Sequence, residues 1–244
     1  MFRLIITGLS LAIVLIVSIV LLPIEWLIGK VSKKAKDRSS RFIIKIVFRV
    51  FLFTAGAKVT VIGRDRIPKD KAVLYVGNHR GIFDIIATYP YLNGVSGYVA
   101  KKSLKKFPLF SHWMANIKCL FIDRDDARQG LKTILQGIEY IKSGTSIVIF
   151  PEGTRSKSDK EMLPFKDGSF KLATKSGCPI VPLAINNTSG LFEDQFPKMK
   201  KTHIIIEFLD PIYLDKLSSE DLKNLTSSTQ EIIRKAVLKN IDLI

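Results

Sequence analysis

The chain opens with a long run of aliphatic residues. Between Leu4 and Leu22 the run is interrupted only by Thr7, Gly8, Ser10 and Ser18. As an α-helix it would extend for roughly 28 Å, which is close to the hydrocarbon thickness of a bilayer. A cleaved signal peptide fits poorly, because the run is too long for a signal's apolar region and no small-x-small cleavage site follows. The pattern predicts a membrane helix and leaves open whether that helix crosses the bilayer or enters one leaflet.

A second apolar segment, from Phe42 to Gly56, follows a basic stretch. Arg41, Lys45 and Arg49 recur every four residues and form a cationic stripe on an otherwise apolar helix. This favours a helix in the membrane interface, with the stripe on the phosphates of anionic lipids. The alternative is an amphipathic helix packed on its own domain. We predict that residues 1–56 form a membrane-binding helical hairpin.

From about Lys58 onward, short β-rich runs alternate with helical patterns. The predicted strands are Val59–Ile62, Val73–Val76, Gly97–Ala100, Cys119–Ile122, Ile147–Phe150, Ile180–Ala184 and Ile204–Phe208. The main predicted helices are Ala127–Lys142, Lys166–Ser176 and Ser219–Asn240, the last with Ser218 and Asp221 in capping-box register. The alternation predicts an α/β domain over residues 57–244, with a mixed, largely parallel sheet flanked by helices.

The large positive net charge of the chain indicates an anionic partner. The chain has 38 Lys and Arg against 22 Asp and Glu, a formal net charge of +16. No nucleic-acid motif is present, and the aromatic residues do not interleave with basic ones as in RNA-binding proteins. We therefore predict an anionic membrane lipid as the partner and no nucleic acid. The positive-inside bias of the stretch after the first helix predicts that the rest of the chain lies on the cytoplasmic face of the cell (inner) membrane.

Cysteine and histidine give little sign of a metal site. Cys119 and Cys178 each lie beside apolar residues and are interpreted as small core residues. The three histidines are far apart in sequence and show no ligand spacing with the cysteines. We predict no metal and no cofactor.

The first candidate site is the segment from Gly77 to Asp84, directly after a predicted strand. A helix beginning near Ile82 would place His79 in the strand-to-helix turn and Asp84 in the first helical turn. Across such a turn the carboxylate can reach the imidazole, fix its tautomer and raise the basicity of the other ring nitrogen. The alternative is a capping Asn78 and an incidental histidine at a helix start.

The second candidate site is Phe150-Pro-Glu-Gly-Thr-Arg155, which also follows a strand. Pro151 ends the strand and Gly153 permits an irregular turn. Glu152, Thr154 and Arg155 would then lie at the sheet edge where α/β proteins place ligands. Arginine offers a planar fork of donors suited to phosphate. Taken by itself, the segment could equally be an ordinary charged loop.

Together the two segments resemble the glycerolipid acyltransferase family, which includes the lysophosphatidic acid acyltransferases. The resemblance rests on Asn78-His79-x4-Asp84 and Pro151-Glu-Gly-Thr-Arg155, about seventy residues apart. The stretch Ala100-Lys101 and the blocks Phe121-Ile-Asp-Arg124 and Ile180-Val-Pro-Leu183 agree with it, over roughly residues 60 to 190. One departure is Lys118. The family's Phe-Ile-x-Arg block, here Phe121–Arg124, usually has a glycine three residues before its phenylalanine, and Lys118 stands at that position.

The resemblance implies roles for individual residues. His79 would be the general base on the acceptor hydroxyl, oriented by Asp84, with Asn78 shaping the turn. The acceptor phosphate would be bound by Arg124, Glu152, Gly153, Thr154 and Arg155, with added charge from Lys101 and Lys105. The acyl donor would be a thioester of acyl carrier protein or coenzyme A, a co-substrate and not a cofactor.

The implied reaction acylates the sn-2 hydroxyl of lysophosphatidic acid and gives phosphatidic acid for phospholipid biosynthesis. The nearest alternative is the same chemistry on glycerol 3-phosphate or a lyso-aminolipid. A more distant alternative is a non-catalytic basic protein that binds membranes or nucleic acid, in which His79 would not matter.

Overall fold

The computed structural model describes residues 1–123, 125–158 and 161–244. Its helices are α1 (Phe2–Val31), α2 (Lys33–Ala55), α3 (Phe83–Thr88), α4 (Pro108–Asn116), α5 (Ala127–Lys142), α6 (Lys171–Ser176), α7 (Ser219–Lys223) and α8 (Leu225–Ile241). Its strands are β1 (Ala57–Ile62), β2 (Leu74–Gly77), β3 (Ser96–Lys101), β4 (Leu120–Ile122), β5 (Ser146–Ile149), β6 (Ile180–Asn186) and β7 (Thr202–Phe208). The predicted α/β fold and its predicted strands are confirmed.

The strands form a mixed, largely parallel sheet in the order β1-β7-β6-β2-β5-β3-β4. Strands β6, β2, β5, β3 and β4 run parallel, whereas β7 is antiparallel to β6 and parallel to β1. The carboxyl ends of β2, β5 and β3 therefore lie side by side at one edge of the sheet. Ligands of open α/β sheets bind at this edge, and both candidate segments follow strands that end there.

Helices cover both faces of the sheet, and its central strands are therefore buried on both sides. On β2, Tyr75 contributes to the core under α2, α3 and α4, while Leu74 and Val76 contribute to the core under α5, α6 and α8. This alternation follows from the two-residue period of a strand. The sheet is thereby packed on both faces beneath the loops that carry the candidate site.

The N-terminal helices form an antiparallel hairpin that buries a carboxyl group. Glu25 of α1 is buried, and its two oxygens accept hydrogen bonds from the hydroxyls of Ser39 (2.5 Å) and Ser40 (2.6 Å) of α2. Helix α2 begins at Lys33, nine residues before the predicted apolar segment. The side chain of Ser32 caps its first turn by accepting from the amide of Ala35.

The hairpin also packs on the α/β domain. Ile44 and Leu52 of α2 belong to the same core as Tyr75 of the sheet. On α1, the Ser18 hydroxyl accepts a 2.9 Å hydrogen bond from the indole Nε1 of Trp113 in α4. By length and composition α1 could cross a membrane, and its outward side carries large exposed apolar residues, among them Leu9, Ile13, Ile16, Val20 and Leu27.

The cationic stripe of α2 corrects one expectation. Arg41 and Lys45 each donate a hydrogen bond to the carbonyl of Leu92 (3.3 and 3.2 Å), so both side chains turn toward the domain and not outward to lipid. Partial burial, with Arg41 and Arg64 nearby, lowers the pKa of Lys45 to about 8. Arg49 is exposed and remains a predicted lipid contact.

Two predicted helices have different boundaries in the structure. The segment predicted as Ser219–Asn240 is divided at Asn224 into α7 and α8, and the Ser218–Asp221 capping box at its start is confirmed. The segment predicted as Lys166–Ser176 begins as a short 3-10 helix over Asp167–Phe170 before α6.

Lys118, which stands where the family usually has glycine, adopts a left-handed backbone conformation. Its φ is +62°, in the left-handed region where glycine is favoured. Its amide donates to the carbonyl of Ala115, and its ammonium lies 2.7 Å from Oδ1 of Asp37 in α2. The lysine therefore adopts the glycine conformation and adds an ion pair between the hairpin and the domain.

Candidate active site

His79 and Asp84 meet across the turn between β2 and α3. Nδ1 of His79 lies 2.6 Å from Oδ2 of Asp84, the contact that the five-residue spacing predicted. Asp84 is completely buried, and 15% of the His79 side chain is exposed. The imidazole is therefore accessible while its partner is protected from water.

The environment of Asp84 fixes the proton on His79. Oδ2 of Asp84 also accepts the backbone amides of Arg80 (2.7 Å) and Gly81 (2.9 Å), and Oδ1 accepts the hydroxyl of Thr188. A carboxylate that accepts on both oxygens requires the imidazole to donate from Nδ1. In the neutral form of the imidazole, Nε2 then carries the lone pair, which is the arrangement required of a general base.

Two contacts orient the histidine. The side-chain amide of Asn78 donates to the carbonyl of Ile185 (2.8 Å) and accepts from its amide (2.9 Å), which attaches the turn to β6. The ring of His79 stacks on Phe150, with centroids 4.4 Å apart and planes 6° apart. Phe150 follows β5 and is the first residue of the second candidate segment, so the two segments are in direct contact.

The predicted phosphate contact of Glu152 is corrected by the structure. Glu152 is buried, its Oε1 accepts the amide of His79 (2.7 Å) and its Oε2 accepts the amide of Leu163 (3.0 Å). Burial raises the pKa of this carboxyl group. A buried carboxylate engaged on both oxygens orients the His79 turn and offers nothing to a phosphate.

Gly153 is likewise needed for the turn. Its φ is +72°, and its amide donates to the carbonyl of Phe150. A Cβ at this position would lie 2.9 Å from the ammonium of Lys166. Gly153 thus permits a tight turn beside a lysine that the sequence pattern had not indicated.

Thr154 and Arg155 remain exposed at the sheet edge. Half of the Arg155 side chain is accessible, and its guanidinium lies 3.7 Å from Oε1 of Glu193. That same oxygen accepts the amide of Ile82 at 2.6 Å. Glu193 therefore connects the His79 turn with the Arg155 loop and leaves guanidinium donors facing solvent.

Lys101 and Lys105 line a separate cavity at the end of β3. The cavity has a volume of about 430 Å³ and is also lined by Lys102, Ser103, Lys106, Ile122 and Asp123. Lys105 lies over the ring of Phe121, 5.2 Å from its centroid. The predicted residue Arg124 lies outside the described residues. The lining carries four lysines and one aspartate, and a contact of Lys101 and Lys105 with the acceptor phosphate stays a prediction.

The connection between β6 and β7 supplies contacts that the sequence reasoning missed. Arg80 is buried and donates to the carbonyl of Ser156 (3.0 Å), the hydroxyl of Ser189 (2.9 Å) and Oδ2 of Asp194 (3.4 Å). Its charge and its place in the first segment were visible in the sequence. Its acidic partner is 114 residues away, and no local signal could identify it.

The two cysteines are buried and unpaired with each other. Burial raises the pKa of the Cys119 thiol to about 12 and also raises the pKa of Cys178. A thiol with such a pKa supplies little thiolate at neutral pH. Neither cysteine therefore suits a covalent nucleophile.

Comparison with known proteins shows that the chain is similar to acyltransferases. An acyltransferase family model matches residues 58–186. A 1-acyl-sn-glycerol-3-phosphate acyltransferase of Borreliella burgdorferi is 31% identical over 208 residues, which cover 85% of this chain and 81% of that protein. The enzyme of the same name from Saccharomyces cerevisiae is 31% identical over 186 residues, covering 75% of this chain and 61% of the yeast protein.

The fold has a counterpart among solved structures. The 1-acyl-sn-glycerophosphate acyltransferase of Thermotoga maritima superposes with a TM-score of 0.79 at 23% identity. The match covers 97% of this chain and 94% of that one, so it includes the hairpin as well as the sheet.

Proposed function

This chain belongs to the acyltransferase family, and we propose that it is a 1-acylglycerol-3-phosphate O-acyltransferase. It transfers a fatty acyl group from a thioester of acyl carrier protein or coenzyme A to the sn-2 hydroxyl of lysophosphatidic acid. The product is phosphatidic acid. The observation that carries the proposal is the His79–Asp84 pair, which lies in the turn after β2, at the sheet edge that also presents Arg155.

In the proposed reaction, Nε2 of His79 takes the proton of the acceptor hydroxyl as its oxygen attacks the thioester carbonyl. The new C–O bond forms, the C–S bond breaks, and the departing thiolate takes a proton from the imidazolium. Asp84 stabilises the imidazolium through the 2.6 Å contact to Nδ1. The acceptor supplies the nucleophilic oxygen, so no acyl-enzyme forms.

The acceptor phosphate would bind at Thr154 and Arg155, beside Lys166. These groups are exposed at the edge that carries His79, and an arginine fork suits a phosphate monoester. Lys101 and Lys105, at the neighbouring strand end, add positive potential. Arg124 is proposed for the same role from its place in the Phe-Ile-x-Arg block.

The location that fits this reaction is the cytoplasmic face of the cell membrane. The acceptor's acyl chain stays in the bilayer, and both candidate donors are soluble. The long apolar α1, with large residues exposed along its outward side, supports membrane attachment of the hairpin. The basic residues after α1 support the orientation.

The deciding experiment supplies the purified full chain with lysophosphatidic acid and an acyl thioester, and detects phosphatidic acid by mass spectrometry. We expect product with lysophosphatidic acid and little with glycerol 3-phosphate or a lyso-aminolipid. A preference for either alternative acceptor would refute the proposed substrate. Absence of transfer to all three acceptors, with both donors, would refute the enzymatic proposal.

Arg155→Ala is expected to lower kcat/KM for lysophosphatidic acid at least tenfold, because a charge-assisted hydrogen bond contributes about 1.5–3 kcal/mol. Lys157→Ala, which removes an exposed cation two residues further along the loop, is the matched control and should change it less than twofold. Steady-state kinetics with each substrate varied separately measures both variants.

A monoacylglycerol, which lacks the phosphate, provides a second control. With it, Arg155→Ala should react at the same low rate as the parent protein. If Arg155→Ala instead raised the KM of the thioester alone, the side chain would belong to the donor site.

A further inference from the structure

The connection from β3 into α4, Lys101–Phe110, has an unusual surface. It leaves the catalytic edge of the sheet as a 3-10 helix over Lys102–Lys106 and enters α4 at Pro108. Its side chains are exposed except for the half-buried Leu109. It thus projects from the same edge that carries His79.

Large apolar side chains and lysines alternate along this connection. Leu104, Phe107 and Phe110 are 38%, 57% and 44% exposed. The lysines are Lys101, Lys102, Lys105 and Lys106. Single exposed apolar residues are common on soluble proteins, but several within seven residues mark a surface that contacts an apolar partner.

The connection is continuous with the hairpin. Trp113 of α4 donates to Ser18 of α1, and Phe110 lies three residues earlier on α4. Residues three apart share one face of a helix. Phe110 therefore extends the side of α4 that meets α1, where the residues on either side of Ser18, Val17 and Ile19, are 45% and 61% exposed.

Two kinds of partner carry the negative charge that the lysines require: an acidic protein and an anionic bilayer. Lysines satisfy either one. Exposed phenylalanine and leucine interspersed with lysine fit the bilayer interface, where apolar side chains enter the acyl region and lysines extend to the phosphates. Continuity with the apolar face of α1 favours the same choice.

We propose that Lys101–Phe110 is a second membrane-contact element, which inserts Leu104, Phe107 and Phe110 into an anionic bilayer beside the catalytic edge. With the hairpin it widens the contact of the enzyme with lipid and holds His79 at the level of the headgroups. The inference rests on the proposed function only in that the acceptor is a membrane lipid.

The test attaches an environment-sensitive thiol-reactive fluorophore to Phe107→Cys in the full chain. Cys119 and Cys178 are buried, so the introduced thiol is the reactive one. The matched control is Leu131→Cys on α5, which is also exposed and lies on the opposite face of the sheet. If Phe107→Cys does not fold, Phe110→Cys takes its place.

With vesicles containing anionic lipid, the label at position 107 should brighten at least twofold and be quenched by nitroxide-bearing lipids, whereas the label at 131 should do neither. Equal behaviour of the two labels would overturn the proposal. A response of the label at 107 to soluble acyl carrier protein but not to vesicles would also overturn it, in favour of a protein-docking surface.

The fluorescence assay needs no acyl transfer, so a negative result in it is distinguishable from a failure of the proposed function. The label at 107 should respond equally in a His79→Ala background. In addition, Phe107→Ser with Phe110→Ser should lower activity on vesicle-borne acceptor at least fivefold and leave activity on detergent-dispersed acceptor within twofold. The control variant Leu131→Ser with Leu135→Ser, an exposed pair on α5, should change neither of the two activities. If the double phenylalanine variant lost activity equally in both assays, the proposal would be contradicted.

Discussion

Replacing His79 by alanine is expected to lower kcat for acyl transfer about 10²–10⁴-fold, the usual effect of losing a positioned general base. The fold should survive, because Asp84 keeps its hydrogen bonds from the amides of Arg80 and Gly81 and from Thr188. Stopped-time assays of phosphatidic acid formation measure the loss, and thermal unfolding checks the fold.

The control for this variant is His112→Ala. His112 is exposed on α4 and contacts the carbonyl of Pro108 in its own helix, so its removal should leave the rate within about twofold. Added imidazole should restore part of the activity of His79→Ala by entering the vacated space beside Phe150. Near-normal turnover of a folded His79→Ala protein would exclude His79 as the base.

Asp84→Asn is expected to lower kcat about 10²-fold or more while leaving the acceptor KM nearly unchanged. The amide can keep its oxygen toward Nδ1 of His79 and donate from its nitrogen to the hydroxyl of Thr188, which accepts as well as donates. The geometry and the tautomer of His79 are thereby retained. What is lost is the negative charge that stabilises the imidazolium.

Thr188→Ser is the matched control for Asp84→Asn, because it keeps the hydroxyl that donates to Asp84 and should retain most activity. The kinetics of both variants are measured alongside far-ultraviolet circular dichroism. If Asp84→Asn raised KM with an unchanged kcat, Asp84 would support substrate binding and not the charge on His79.

Much of the fold could be predicted because its signals are local. The strands appear as apolar runs bounded by glycine, proline or charge, and α5 shows its apolar residues at helical spacing from Ala127 to Lys142. The His79–Asp84 contact could be predicted for the same reason, since both partners lie within one turn of the chain.

The rest of the site depends on contacts between distant segments. Thr188 reaches Asp84 across 104 residues and Glu193 reaches Ile82 across 111. The strand-to-loop pattern placed Glu152 at the exposed sheet edge and the family resemblance implied a phosphate contact, whereas the fold directs both its oxygens to backbone amides. Arg41 and Lys45 have the spacing of a lipid-facing stripe, and only the position of Leu92 shows that they turn inward.

The buried Glu25 limits how far the two helices of the hairpin can slide past each other in the proposed attachment to a bilayer. If α1 slid along α2 by one turn, about 5.4 Å, its carboxyl group would leave Ser39 and Ser40 and lose its hydrogen bonds in an apolar interface. The two helices therefore cannot adjust their overlap to suit bilayers of different thickness. Under the proposed attachment, accommodation would come from tilting of the whole molecule or local deformation of the lipid, so membranes that differ in thickness would present their headgroups to His79 at different angles.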